Sequence, residues 1–326
     1  MKYFIKLIRP INLLIIAFTM YSTRLFLYLY EIKFEVNLFQ REGEEIDFFL
    51  MVFSTILIGA AGNMINDYFD IKADRVNKPE ELIITKHIKK RVAILYHWLF
   101  NAVAFSIAIY LSVRNNSFWY VFIHLISINS LWFYSLYFKR KIFIGNLIVA
   151  LLTALVPILC GIHFYVHHQL PSIQNVNLDS IFDFWIYQLG EKGHFIWILA
   201  IFAFLANLSR EIIKDIEDRK GDIILKAKTL PITYGTKTSK WITGFILLLG
   251  PFTFVLLYFF KAPSHFGSLD SIIIFIPVII SFLFNFLALV ILYKANTREK
   301  LKSADKLIKI GMLAGLLLPF YWLLFL

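Results

Sequence analysis

Nine stretches of this 326-residue chain are apolar over about 20 residues each, the length that crosses a bilayer as a helix. In lipid, each backbone polar group must be hydrogen-bonded within the chain, so these stretches predict helices. The predicted spans are residues 11–30, 46–66, 91–112, 117–137, 142–163, 194–213, 240–260, 272–293 and 306–326. With 59% hydrophobic and 17% charged residues, the chain is too apolar for a soluble fold. The sequence therefore predicts an all-α integral membrane protein with a single domain, residues 1–326.

Basic residues are concentrated in alternate connections between the predicted spans. The basic segments are residues 1–9, 72–91, 139–141, 210–240 and 294–306. Because positively charged connections stay in the cytoplasm, this alternation predicts a cytoplasmic N-terminus and an external C-terminus. The same rule accounts for the net charge of +11, so we expect no nucleic-acid partner.

Two further features predict structure rather than chemistry. The single cysteine, Cys160, excludes an internal disulfide, and its apolar surroundings in the sequence predict a packing role. The longest external connection, residues 164–193, holds His167, His168, Asp179 and Asp183. Their spacing matches no standard set of metal ligands, so we expect a solvated loop. Nothing in the sequence indicates an oligomeric state.

The second predicted span runs directly into a cluster of acidic and amide side chains. Asn66, Asp70 and Asp74 recur at every fourth position, and Asp67 lies three residues before Asp70. If the helix continues, all four share one face. Burying a charge at the centre of a membrane helix costs about 2.5–3.5 kcal/mol, so the repeated acids indicate a bound cation. Oxygen ligands suit Mg²⁺, which takes one or two carboxylates and completes its shell with water and phosphate oxygens.

The sixth predicted span ends in a second charged cluster. Its members at every fourth position are Arg210, Lys214, Asp218 and Asp222, with Glu211 and Asp215 on an adjoining stripe. One acid-rich helix end is usually a solvated boundary with local ion pairs. Two such ends on the same predicted side of the membrane instead favour a shared functional site.

The spacing Asn66-x-x-x-Asp70-x-x-x-Asp74 with Asp218-x-x-x-Asp222 resembles the two signature motifs of the UbiA-type intramembrane prenyltransferases. Other matching segments are Arg9-Pro10-x-Asn12, Asn77-Lys78-Pro79, Tyr134-Ser135, Lys139-Arg140 and Gly145-Asn146. The resemblance implies nine helices, with the motifs on the cytoplasmic ends of the second and sixth. It also implies Mg²⁺ and two substrates, a prenyl diphosphate and a lipophilic acceptor, taken from the membrane lipid.

The resemblance also implies roles for individual residues. The metal ligands would be Asn66, Asp67, Asp70, Asp74, Asp218 and Asp222. The catalytic residues would be Asp70, Asp218 and Lys214. Substrate would be bound by Arg9, Asn12, Lys78, Tyr134, Lys139 and Arg210. In this scheme an allylic diphosphate ionises, and the acceptor captures the resulting carbocation.

Within that family, the run from Arg210 to Asp222, followed by Lys228-Thr229-Leu230-Pro231, resembles one branch most. That branch transfers geranylgeranyl to geranylgeranylglyceryl phosphate in the synthesis of ether lipids. One position departs from the family pattern, since Glu81 stands where an arginine is usual. The departure puts one contact to the diphosphate or the acceptor in doubt.

Three other functions remain open at the level of sequence. An aromatic prenyltransferase that makes quinone precursors would share the metal site but not the acceptor. A membrane transporter would use its acids to relay cations, but transporters bind near the midplane, whereas these acids lie at span ends. A non-catalytic scaffold would tolerate mutation of the acids.

Overall fold

The regular structure is almost entirely helical in a computed structural model of the chain, which describes residues 2–33, 43–168, 194–261 and 275–324. The exception within these ranges is one isolated β-bridge between Ile84 and Ile88. The helices are α1 (Lys2–Ile8), α2 (Pro10–Lys33), α3 (Glu44–Phe69), α4 (Ile71–Asn77), α5 (Lys90–Arg114), α6 (Trp119–Leu136), α7 (Ile144–His168), α8 (His194–Ile224), α9 (Leu230–Thr233), α10 (Gly235–Lys261), α11 (Ile276–Tyr293), α12 (Arg298–Leu316) and α13 (Leu318–Trp322). Two 3₁₀ turns, Pro79–Glu81 and Phe138–Arg140, lie between them.

Each predicted span overlaps a long helix in the described residues. Six of these helices are long and apolar enough to cross a membrane, namely α2, α3, α5, α7, α8 and α11. The others are α6, α10 and α12, of 18, 27 and 19 residues. The prediction of an all-helical, multi-pass membrane protein is therefore confirmed, while the count of nine spans stays a prediction.

Helix ends follow local chemistry more closely than the hydropathy pattern does. The last predicted span, 306–326, begins too late, because Thr297 caps α12 and its side-chain oxygen accepts from the backbone of Lys300 at 3.4 Å. The first turns of α12 are therefore helical although they are strongly charged. Likewise, α8 continues to Ile224, well beyond the predicted end at residue 213.

The solvated loop predicted for residues 164–193 is wrong at its start. Helix α7 continues to His168, and His167 is 2% exposed, with its Nε2 atom 3.7 Å from the Asp47 carboxylate. The buried carboxylate at the start of α3 favours extending α7 toward it. Residues 169–193 lie outside the described residues. Cys160 is buried and makes no disulfide, as its sequence context predicts.

Helices α3 and α8 occupy the positions that build the site. Helix α3 packs along α5 and also touches α1, α2 and α6, while α8 packs along α7, α10 and α12. Helix α4, which follows α3 after one residue, lies against α8. The polar ends of the second and sixth predicted spans therefore meet in space.

Candidate active site

The first acidic cluster lies on a helix that continues through the α3–α4 junction. The amide of Asp70 donates to the carbonyl of Asn66 at 3.0 Å, and that of Asp74 donates to the carbonyl of Asp70 at 2.8 Å. Because the i to i+4 pattern is unbroken, Asn66, Asp70 and Asp74 lie one turn apart on one face. Both aspartates are buried, at 8% and 7% exposure.

Asn77 joins this segment to the second cluster on α8. Its Nδ2 atom donates to the carbonyl of Asp218 at 2.9 Å, and its Oδ1 atom accepts from the amide of Gly221 at 2.8 Å. The close approach requires glycine, since a Cβ atom at residue 221 would lie 2.8 Å from the carbonyl oxygen of Ala73. This two-way contact holds the two acidic helix ends against each other.

Lys139 links the two clusters electrostatically. It lies in the 3₁₀ turn after α6, donates to Oδ1 of Asn66 at 3.0 Å and pairs with the Asp70 carboxylate. Asp218 and Asp222 are within Coulombic range of its ammonium group. Burial lowers the pKa of Lys139, but the combined attraction of Asp70, Tyr134 and Asp218 outweighs it and leaves the pKa well above its usual value. Lys139 is thus a fixed cation among the acids.

Lys78 has a related position at the end of α4. Its ammonium group lies 3.3 Å from the Asp74 carboxylate and within Coulombic range of Asp218. The pKa of Asp74 is raised to about 6, because burial and the neighbouring Asp70 and Asp67 raise it by more than Lys78 lowers it. The pKa of Lys78 is raised, because Asp218 and Asp74 together overcome the opposing effect of burial. The acids at this site therefore repel one another, and added positive charge would relieve the repulsion.

Arg9 reaches the same site from the N-terminus. Its backbone adopts the left-handed conformation, with φ of 56°, and so separates α1 from α2. The guanidinium group forms an ion pair with Asp67. The backbone amide of Asn12 donates to the carbonyl of Arg9 at 2.9 Å, which places Asn12 in the first turn of α2.

Three residues predicted for catalysis or substrate binding lie beside the acids, not among them. The Nε of Arg210 donates to Asp305 at 2.8 Å and its Nη1 to Asn207 at 2.9 Å. Lys214 pairs with Glu211, and the Tyr134 hydroxyl lies 3.5 Å from the same carboxylate. Arg210 and Lys214 therefore pair outside the group of Lys78, Lys139 and Arg9. Tyr134 lies between the two sets, because Glu211 and Lys139 are both within Coulombic range of its hydroxyl.

Several residues of the site were not predicted from sequence. Arg298, at the start of α12, donates from Nε to Glu217 at 2.8 Å, lies 3.5 Å from Asp218, and also donates to the carbonyl of Asn77. In the sequence it contributes only to the charge count of a basic connection. Asn146 donates to Asp215 at 2.9 Å, and only the Gly145-Asn146 motif pointed to it.

The oxygen donors of the site fit a hard divalent cation whose coordination shell is completed by substrate. Among the described residues, no three His, Cys, Asp or Glu side chains converge closely enough to hold a metal ion alone. Both acidic segments supply oxygen donors. Asp222 is within Coulombic range of Asp218, Asp70 and Asp74, and Asn66 shares Lys139 with Asp70. Mg²⁺ normally takes only one or two carboxylates and relies on water and phosphate oxygens for the rest, so these residues fit it.

These features define a multi-pass membrane protein with one acid-rich polar site at the meeting point of its helix ends. The family model of the UbiA prenyltransferase family matches residues 38–313. The chain belongs to this family and is a membrane-embedded enzyme that transfers prenyl groups.

Known relatives agree with this assignment. A protein of Methanosphaera stadtmanae named digeranylgeranylglyceryl phosphate synthase is 31% identical over 78% of this chain and 79% of its own length. A solved structure from a study of digeranylgeranylglyceryl phosphate synthase in membranes is 25% identical, with a TM-score of 0.60 and coverage of 98% of this chain and 96% of that one. A UbiA homologue from Archaeoglobus fulgidus, bound to GPP and Mg²⁺, shares the fold at 14% identity, with a TM-score of 0.53 and coverage of 98% and 99%.

Proposed function

We propose that this protein transfers a geranylgeranyl group from its diphosphate to geranylgeranylglyceryl phosphate, in a Mg²⁺-dependent step of ether-lipid synthesis. The observation that carries the proposal is the meeting of two acidic helix ends around Lys139. The name of the Methanosphaera stadtmanae relative supports the acceptor. The Mg²⁺ and GPP of the Archaeoglobus fulgidus homologue support the metal and the donor.

The acids would hold the metal. Asn66, Asp67, Asp70 and Asp74 would do so from α3 and α4, and Asp218 and Asp222 from α8. When bound, Mg²⁺ supplies charge neutralisation for the leaving diphosphate. Asp70 and Asp218 would serve as the central ligands, one from each acidic helix end.

The cations of the site would bind the diphosphate. The bond between C1 of the prenyl chain and the diphosphate oxygen breaks, and the electron pair leaves with the diphosphate. Arg9, Lys78 and Lys139 would then donate to the phosphate oxygens as their charge grows. The acceptor hydroxyl oxygen bonds to C1, and its proton leaves with the released diphosphate. Burial of the site excludes water, which would otherwise capture the allylic cation.

Four other predicted residues would act beside this centre. Tyr134 and Asn12 would border the prenyl and acceptor groups. Lys214, one helical turn from Asp218, would contribute to catalysis by stabilising negative charge on substrate. Arg210, held by Asp305 and Asn207, would contribute positive charge to the substrate region.

We also propose nine membrane spans, with the N-terminus in the cytoplasm and the C-terminus outside. The alternation of basic connections supports this arrangement. Both acidic clusters would then lie at the cytoplasmic face, where water-soluble Mg²⁺ and diphosphate exchange.

The test is a competition among acceptors. Purified enzyme receives geranylgeranyl diphosphate together with geranylgeranylglyceryl phosphate, 4-hydroxybenzoate and dihydroxynaphthoate, and the products are separated. We expect only the glyceryl ether product, and no product at all in excess EDTA. An exclusively aromatic product would replace the acceptor assignment with that of a quinone-precursor enzyme. Full turnover in EDTA would overturn the metal assignment.

A further inference from the structure

A second group of cations lies beside the acid-rich site, between α8 and α12. Arg210 and Lys309 both contact the Asp305 carboxylate, at 2.8 Å from Nε to Oδ1 and at 3.1 Å from Nζ to Oδ2. Lys214 pairs with Glu211 and is within Coulombic range of both Asp305 and Lys309. In this described part of the bundle, three cations therefore share two carboxylates.

The two lysines are more exposed than the carboxylates with which they pair. The Lys214 side chain is 36% exposed, against 9% for Glu211, and that of Lys309 is 27% exposed, against 15% for Asp305. Charged side chains at membrane depth face the bundle interior or a water-filled cavity, not lipid. An anion entering that space would meet the two lysines before it met either carboxylate.

This surplus of positive charge costs folding free energy unless a bound anion neutralises it. Arg210 and Lys214 both repel the ammonium group of Lys309. One cation would suffice to neutralise Asp305, and bringing three together at partly buried positions opposes folding. The arrangement is therefore typical of a site whose remaining charge is supplied by a ligand.

The group adjoins the reaction centre without being part of it. Lys214 precedes Asp218 by one helical turn, which is about 5–6 Å along α8. Glu211 connects the two regions, because it pairs with Lys214 and lies within Coulombic range of Lys139. The cations that contact the acid motifs, Arg9, Lys78, Lys139 and Arg298, are a separate set.

We propose that Arg210, Lys214 and Lys309 form the binding site for the phosphate monoester of the acceptor. This inference rests on the proposed function, in which each substrate carries phosphate. Donor diphosphate is held by the cations among the metal-binding acids, and acceptor phosphate by this second group. The two lysines donate to the phosphate oxygens directly. Arg210 is held by Asp305 and Asn207, so it attracts the phosphate by its charge without a hydrogen bond to it.

The experiment compares Lys309→Gln with a matched control, Lys306→Gln. Lys306 lies on the same helix and is exposed. KM is measured for geranylgeranyl diphosphate, for geranylgeranylglyceryl phosphate and for the same acceptor without its phosphate. A lost hydrogen bond to a charged group is worth roughly 1.5–3 kcal/mol, so we expect Lys309→Gln to raise the KM of the phosphorylated acceptor about tenfold or more. The KM of the diphosphate should not change. An unchanged KM for the diphosphate would also show that the variant folds.

The unphosphorylated acceptor makes the test specific for phosphate. Wild-type enzyme and Lys306→Gln should prefer the phosphorylated acceptor, and Lys309→Gln should lose most of that preference, whereas Lys309→Arg should keep it. A raised KM for the diphosphate, or no change in either KM, would overturn the site. Failure of the proposed function looks different, because wild-type enzyme itself would then form no product from the phosphorylated acceptor.

Discussion

Single side chains carry much of the organisation of this site. Arg298 contacts both acidic segments, although it belongs to neither sequence motif. The neighbouring pair of Lys302 and Glu81, 3.0 Å apart, joins the same helix to the turn after α4. Glu81, which stands where the family pattern has an arginine, thus pairs with a lysine. Its pKa is lowered, because Lys302, Lys78 and Arg298 together outweigh the effect of burial.

We predict that Arg298→Gln weakens metal binding. The substitution leaves the Glu217 carboxylate, which is only 12% exposed, without its ion pair, and it loosens Asp218. A buried polar group left unpaired costs about 1–3 kcal/mol, so the Mg²⁺ concentration for half-maximal activity should rise about tenfold. The shift in Tm on adding Mg²⁺ provides a readout independent of turnover.

The control for Arg298→Gln is Lys302→Gln. The pair of Lys302 and Glu81 is roughly half exposed, and exposed ion pairs contribute about 0–1 kcal/mol. The control should therefore change little. Equal effects of the two substitutions would show that Arg298 has no special role at the site.

The sequence predicted the residues of the acid motifs better than it predicted their partners. The spacing of four placed Asn66, Asp70 and Asp74 on one face, because local helix geometry determines that result. It did not predict that Arg210 would contact Asp305, 95 residues away in the sequence. That pairing depends on how α8 and α12 pack, which no local pattern encodes.

At the scale of whole elements, hydropathy located the helices but misplaced several ends. Helix α3 ends at Phe69, three residues after the predicted end at 66, and Asp70 keeps the hydrogen-bonding pattern into α4. Apolar length determines where a helix crosses the bilayer, whereas polar contacts such as that of Asn77 determine how far it extends beyond it. The approach of α4 to α8 is the contact that most directly builds the site.

We predict that Gly221→Ala impairs catalysis by separating α4 from α8. The new Cβ atom would overlap the carbonyl oxygen of Ala73 at 2.8 Å and crowd the Asn77 amide. Overpacking of this kind costs about 1–3 kcal/mol, and backbone atoms cannot rotate away. We expect kcat/KM for the diphosphate to fall at least tenfold in a prenyl-transfer assay.

Gly315→Ala is the matched control, since Gly315 is also helical and its Cβ atom would have only ordinary contacts, the nearest being 3.5 Å from Oγ of Ser281. Its activity should stay close to that of wild type. An active Gly221→Ala enzyme would mean that the helices can move apart without harm to the site.

For the whole molecule, the distribution of charge predicts topology without any structural information. Basic connections adjoin both acidic clusters, and the opposite connections are poor in lysine and arginine. The described helices fit this scheme, but their apolar character alone confirms only a multi-pass protein. The packing that unites distant helices could not be read from these charges, because it depends on long-range contacts.

The topology is tested with single cysteines in a Cys160→Ala background. Lys89→Cys and Lys228→Cys replace exposed residues near the two acidic clusters. In intact cells both should resist a membrane-impermeant thiol reagent and react after permeabilisation. Asn116→Cys, in a connection predicted to be external, should react in intact cells. Labelling of residue 89 or 228 from outside would reverse the predicted orientation.

The length of α8 bears on where in the membrane the two substrates meet. With 31 residues it measures about 46 Å, whereas the hydrocarbon layer is about 30 Å thick. Its acidic last turns therefore reach headgroup level while the rest of the helix stays among the acyl chains. Both substrates can then arrive by lateral diffusion within one leaflet, while their tails stay in the hydrocarbon layer. The new lipid is then formed in that same leaflet, so its transfer to the opposite leaflet requires a separate translocation step.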